Sequence, residues 1–126
     1  MNMTTPIGIV VDDDPQVRLL HAEVLRRGGM QVFEATSARE ALTLAGTLPL
    51  LDFVVTDLSM PDLDGVELCR RLGRLPIAAT LKVVAVSGDA KTQGDEATAA
   101  GCDVVLAKPC SPALLLATIR QLLKPS

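Results

Sequence analysis

Tryptophan and tyrosine are absent from this 126-residue chain, and phenylalanine occurs twice, as Phe33 and Phe53. Two rings do not make a platform on which bases can stack. Basic blocks are missing as well. Lys and Arg number 12 against 15 Asp and Glu, a net charge of −3, so direct binding of nucleic acid is not expected. No apolar run is as long as a membrane span, and no charged segment precedes a short apolar one as in a signal peptide. A cytoplasmic protein without membrane contact is the expectation. The cysteines, Cys69, Cys102 and Cys110, are odd in number and lack C-x-x-C spacing. That argues against a disulfide framework or a zinc site and for reduced thiols that pack. The single histidine, His21, lies among Leu20, Ala22 and Val24 and is expected at the surface or half-buried, without a catalytic part.

What is present is a strict alternation. With 48% apolar residues and a mean hydropathy of +0.35, the chain has the size and content of one domain with a full core. Short apolar runs at 7–11, 30–35, 51–56, 81–86 and 104–107 read as strands. Helical patterns fill the gaps. Asp14-Pro15 is a cap followed by proline at the first helical position, and Gly28-Gly29 closes that helix. Ser37-Ala38-Arg39-Glu40 has the form of a capping box. A third helix is expected from Gly65 to about Leu72, and a fourth, the least apolar, over about 90–100. Ser111-Pro112 opens a last helix that runs to Leu123. Lys124-Pro125-Ser126 reads as a natural end or the start of a linker. Five apolar strands separated by five helices imply a doubly wound α/β parallel sheet covered on both faces.

The polar residues collect at the strand ends. The first strand runs into Asp12-Asp13-Asp14, the third into Asp57, the fourth into Ser87 and the fifth into Lys108-Pro109. In open parallel sheets the ligand crevice lies beyond those ends, where the strand order reverses. A carboxylate at the tip of a buried strand is costly unless a cation or donor is supplied. Asp12, Asp13 and Asp57, with a hydroxyl and an ammonium at the same sheet edge, make a coherent site.

The runs Val11-Asp12-Asp13-Asp14-Pro15, Thr56-Asp57-Leu58-Ser59-Met60-Pro61-Asp62-Leu63-Asp64-Gly65, Val86-Ser87-Gly88 and Ala107-Lys108-Pro109 resemble the motifs of the response regulator receiver domain of two-component signalling. The match covers about residues 6–123 of a single domain spanning 1–126, and no output domain is expected in this chain. The resemblance implies a flavodoxin-like sheet in the order 2-1-3-4-5. It implies that Asp57 is the phosphoacceptor, taking a phosphoryl group from a sensor histidine kinase or a phosphotransfer protein. It further implies that Asp12, Asp13, Asp57 and the backbone carbonyl of Ser59 hold Mg²⁺, with Asp14 as helix cap. Ser87, often threonine in the family, would donate to a phosphoryl oxygen. Lys108 would pair with Asp57 and then with the phosphoryl group, and the bond to Pro109 is often cis. Met60-Pro61 would shape the acceptor loop and Gly65 the turn into the third helix. By the same resemblance, Ser59 and Asp89 would occupy positions that the family uses to tune phosphate lifetime.

Val105 departs from the pattern: the family usually has an aromatic ring at this switch position, and valine is too small and stiff to report a change by rotating. Cys110 stands where an aromatic often follows Lys-Pro. The last helix has more apolar residues than one stripe needs, so it has either a broad core face or, with the last strand, a homodimer or output-partner surface. Thr118 replaces an arginine common in receivers that dimerise there. Two rival functions stand beside the receiver reading. One is a phosphorylation-independent interaction module. The other is a phosphohydrolase of the haloacid dehalogenase type, whose D-x-D would be Asp12 and Asp14.

Overall fold

The computed structural model describes residues 5–60 and 62–124. Strand β1 (Ile7–Val11) leads into helix α1 (Pro15–Arg27), followed by β2 (Gln31–Ala35), α2 (Ala38–Thr47), β3 (Phe53–Asp57) and α3 (Gly65–Leu72). Strand β4 (Lys82–Ser87), α4 (Ala90–Ala99), β5 (Val104–Ala107) and α5 (Pro112–Leu123) complete the chain. All pairings are parallel, in the order β2-β1-β3-β4-β5. The doubly wound α/β fold is as expected.

Period-two alternation sends the strand residues to two cores. Val10, Val32, Phe53, Val55, Val84 and Val86 pack with Ala22 and Leu25 of α1 and Leu115 and Ile119 of α5. On the other face, Ile9, Val11, Val54 and Ala85 pack with α2, α3 and α4. Gly8 has a steric role in this packing. A Cβ there would lie 2.1 Å from the Phe53 ring on the neighbouring strand, so the glycine makes room for the largest fully buried side chain.

Helix starts follow the sequence signals. Asp14 accepts from the N–H groups of Gln16 and Val17, Ser37 from Glu40, and Ser111 from Leu114. The box at Ser37 closes one residue early: Glu40 accepts from the Thr36 N–H at 2.6 Å. Strand β3 begins at Phe53, later than expected, and the Asp52 carboxylate just before it accepts from the Ile7 N–H at 2.8 Å. Strands β3 and β4 each include their terminal polar residue, Asp57 and Ser87. A 3-10 turn at Pro76–Ala79 was not foreseen.

Cys69 of α3 and Cys102, just after α4, form a disulfide, with Cα atoms 6.1 Å apart and a sequence separation of 33. The expectation of unpaired thiols therefore fails for these two, although both do pack in the α2–α3–α4 core. The signal was absent because their spacing lies in tertiary structure, not in sequence. His21 is buried, at 5% exposure, and not at the surface. Leu115 and Ile119 of α5 are buried and Leu116, Leu122 and Leu123 lie against the core, while Leu114 is exposed. Most of the surplus apolar surface of α5 is thus core face. Pro61, Pro125 and Ser126, named in the sequence reading, lie outside the described residues.

Candidate functional site: an acid cluster at the sheet switch point

Strand β1 connects toward β2 on one side of the sheet, and β3 toward β4 on the other. The crevice between their C-terminal ends is where the order reverses, and Asp12 and Asp57 stand on its two rims. Both are buried, at 3% and 6% exposure. Carboxylate oxygens of Asp12, Asp13 and Asp57 all lie within 4.8 Å of one another. Asp13 is the exposed member.

Asp57 is held from two directions. One carboxylate oxygen accepts from the Ser59 N–H and the other from Lys108 Nζ, each at 3.0 Å. Ser59 is itself exposed, two residues beyond the strand. Lys108 arrives through β5, and its N–H donates to the Ser87 carbonyl at 2.9 Å. The Lys108–Pro109 bond is cis. The chain after Asp57 turns back onto it: Gly65 N–H donates to Leu58 O at 3.0 Å. A Cβ at Gly65 would sit 2.5 Å from the Asp57 carbonyl oxygen, a contact that only glycine avoids.

The electrostatics follow from burial and proximity. Burial raises the pKa of Asp12, and the charges of Asp57 and Asp13 push the same way. The Asp14 N–H and Lys108 oppose without prevailing. For Lys108 burial is the largest single influence and lowers its pKa. The hydrogen bond to Asp57 and the charges of Asp57, Asp12 and Asp13 outweigh it, and the net direction is up. Three close carboxylates, two of them buried, present hard oxygen donors with surplus negative charge. That donor set suits a small divalent cation.

Ser87 is fully buried and reaches the crevice from β4, yet its hydroxyl is engaged elsewhere. It donates to Gln93 Oε1 of α4 and accepts from the Asp89 N–H at 3.0 Å. Gln93 had no distinguishing signal in the sequence, because nothing local marks one glutamine on a polar helix. Val105 is half-buried on the edge strand β5, opposite Ala85, and packs toward the α2–α3–α4 core. Asp14 is taken up as the α1 cap, so Asp12 and Asp14 do not form a D-x-D pair facing the crevice.

Two further residues were missed. Arg18 Nη1 donates to the Asp12 carbonyl at 2.9 Å and its Nε to Glu34 at 3.3 Å, fixing the loop that carries the acids. Asp62 accepts from the N–H groups of Ala38 and Arg39 at the start of α2. Behind Lys108, a cavity of about 410 Å³ is lined by Val17, Leu20, His21, Val86, Pro109 and Cys110 as well as Lys108 itself. Burial lowers the pKa of His21, and the Lys108 charge adds to that.

A profile described as the response regulator receiver domain matches residues 9–120. Response regulator MprA of Mycolicibacterium vanbaalenii is 40% identical over 121 residues, covering 92% of this chain and 49% of that protein. An uncharacterized 14.6 kDa protein of Leptolyngbya boryana is 37% identical over 115 residues, 90% of this chain and 86% of that one. The chain thus spans about half the length of MprA and most of the length of the Leptolyngbya boryana protein. Among solved structures, chemotaxis response regulator CheY4 of Vibrio cholerae superposes with a TM-score of 0.88 at 26% identity, covering 95% of this chain and 100% of that one.

Proposed function

The chain belongs to the response regulator receiver domain family, and from that premise we propose that it is a phosphoacceptor module that takes a phosphoryl group on Asp57. The family is one of signalling domains and not of classical enzymes. The observation that carries the reading is the setting of Asp57. It is a buried carboxylate at the end of the central strand, bound by Lys108 and flanked by Asp12 and Asp13.

In the proposed reaction an Asp57 carboxylate oxygen attacks phosphorus of a phosphohistidine on a sensor kinase or phosphotransfer protein. The new O–P bond forms as the P–N bond to imidazole breaks. Lys108 shifts its ammonium from the carboxylate to a phosphoryl oxygen, where a compact charge is needed. Ser87 donates to a second phosphoryl oxygen after giving up Gln93. Asp12, Asp13, Asp57 and the Ser59 carbonyl would hold Mg²⁺, which supplies neutralisation of charge on the transferred group. Residues 1–126 act as one receiver domain with its core at about 6–123. The released Gln93 and α4 alter the surface seen by an output partner, with Val105 unable to contribute a swinging ring. A cytoplasmic site of action suits a kinase partner, and no helix among the described residues is long and apolar enough to cross a membrane.

Intact-protein mass spectrometry after incubation with acetyl phosphate and Mg²⁺ tests this. The wild type is expected to gain one phosphoryl group, which does not form when chelator is present from the start and is absent in Asp57→Asn. No adduct, with beryllofluoride binding intact, would mean phosphate is released too fast to trap. No adduct and no beryllofluoride binding would leave a receiver fold used only for phosphorylation-independent interaction.

A further inference from the structure

We propose that Cys69 and Cys102 form a reversible thiol–disulfide site that clamps the C-terminal end of α4 to α3, with a low-molecular-weight disulfide as its oxidant. The site lies on the α2–α3–α4 face, apart from the acid cluster, and does not depend on phosphoryl chemistry. Cys69 faces inward from α3, and Cys102 lies in the connection between α4 and β5. Their Cα separation of 6.1 Å is one that a disulfide spans without moving the backbone. Cys110 packs with the opposite core, beside α1 and α5, and takes no part.

Access is the physical question, since Cys69 and Cys102 are 1% and 4% exposed. Helix α4 is the element suited to open. Ala97 is its one buried residue, its N-cap Asp89 makes no side-chain capping bond, and Gly94 lies in its interior. Few buried apolar contacts mean low local stability. The Cys102 N–H donates to Ala97 O at 3.0 Å, so lifting the end of α4 carries Cys102 outward with it. The chain closed by the bridge contains β4 and α4, and with them Ser87 and Gln93.

In the reaction the Cys102 thiolate attacks one sulfur of the reagent disulfide and expels a reagent thiolate, leaving a mixed disulfide. The Cys69 thiolate then attacks the Cys102 sulfur and expels the second reagent thiolate. The two protons lost by the cysteines are taken up by the two reagent thiolates. The protein pair is oxidised by two electrons and the reagent is reduced by two.

The test uses the full chain, reduced with dithiothreitol or oxidised with glutathione disulfide. It reads peptide mapping after alkylation and amide hydrogen exchange over residues 90–99. The oxidised protein is expected to lose two hydrogens in mass, yield a Cys69–Cys102 peptide and retain an alkylatable Cys110. Exchange in α4 should slow by about tenfold and recover on reduction. Cys69→Ser and Cys102→Ser should each show no oxidant-dependent slowing. Glutathione found on Cys110 alone, a disulfide-linked dimer, or unchanged α4 exchange in the bridged protein would each overturn the proposal. The mapping of wild type stands even where a serine variant folds poorly.

Discussion

Asp12 bears the largest cost of assembling the acid cluster. The residue is 3% exposed, its carboxylate is close to two others, and burial and their charges raise its pKa. In metal-free solution at neutral pH the charged form is therefore a destabilising group. Asp12→Asn keeps an oxygen for the Asp14 N–H and removes the charge. Relief of repulsion at this range is worth about 1–3 kcal/mol, so the variant should unfold at a higher denaturant concentration than wild type in the presence of chelator. Chemical denaturation at pH 7 checks this, and a lower midpoint would contradict it. Lys108→Ala acts in the opposite sense by leaving the buried Asp57 carboxylate without its cation. That variant should lose stability and keep some phosphorylation, with its response uncoupled. Comparison of phosphoryl adduct with phosphorylation-dependent change in α4 exchange reads both. At this scale the sequence was legible wherever a polar residue followed an apolar strand, because strand ends in a parallel sheet converge. It was silent about Gln93, the Cys69–Cys102 pair and the burial of His21. Those depend on which helix faces come together, and no spacing rule encodes that.

Among the elements, β1 and β3 position the chemistry, and their fit rests on a glycine and a ring. Gly8 and Phe53 are register partners, and the ring fills the space a Cβ at position 8 would need. Gly8→Ala should destabilise by about 1–3 kcal/mol through overpacking. Phe53→Leu should cost a comparable amount through lost volume. The double variant should cost clearly less than the sum, because the added methyl occupies space the ring vacates. Urea unfolding of all three reads the coupling, and strict additivity would mean the strand has another reason for glycine. The apolar alternation of β1 was plain in the sequence, but the meaning of Gly8 was not, since it depends on the residue across the ladder. Helix starts were legible for a local reason: the Asp14, Ser37 and Ser111 caps act within three residues of themselves. The bond from the Ile7 N–H to the Asp52 carboxylate just ahead of β3 has no such local signal, because its partners are 45 positions apart.

For the molecule as a whole, the titrating groups set opposing slopes of stability against pH. His21 has its pKa lowered from 6.5 by burial and Lys108. Between its folded value and 6.5 the unfolded chain holds more protons, so stability rises with pH there. Asp12, raised from 3.8, does the reverse: above 3.8 the folded state holds the extra proton, and stability falls as pH rises through its folded value. Lys108, raised from 10.5, contributes fully below 10.5 and is lost as pH climbs through its folded value. Mg²⁺ should bear on this balance only where the carboxylates are charged. At 100 times its dissociation constant, a ligand bound by the folded state alone adds about 2.7 kcal/mol, on the order of 10 °C in Tm for a domain of this size. The Mg²⁺-dependent rise in Tm should therefore be large at pH 8 and shrink as pH falls through the raised folded pKa of Asp12. Asp13→Ala should reduce it at pH 8 while leaving the metal-free Tm near or above that of wild type, since Asp13 is exposed and adds repulsion. Calorimetric scans with Mg²⁺ and with chelator decide the matter. An equal rise in wild type and Asp13→Ala would remove Asp13 from the ligand set, and a rise that does not shrink as Asp12 is protonated would remove Asp12 from it.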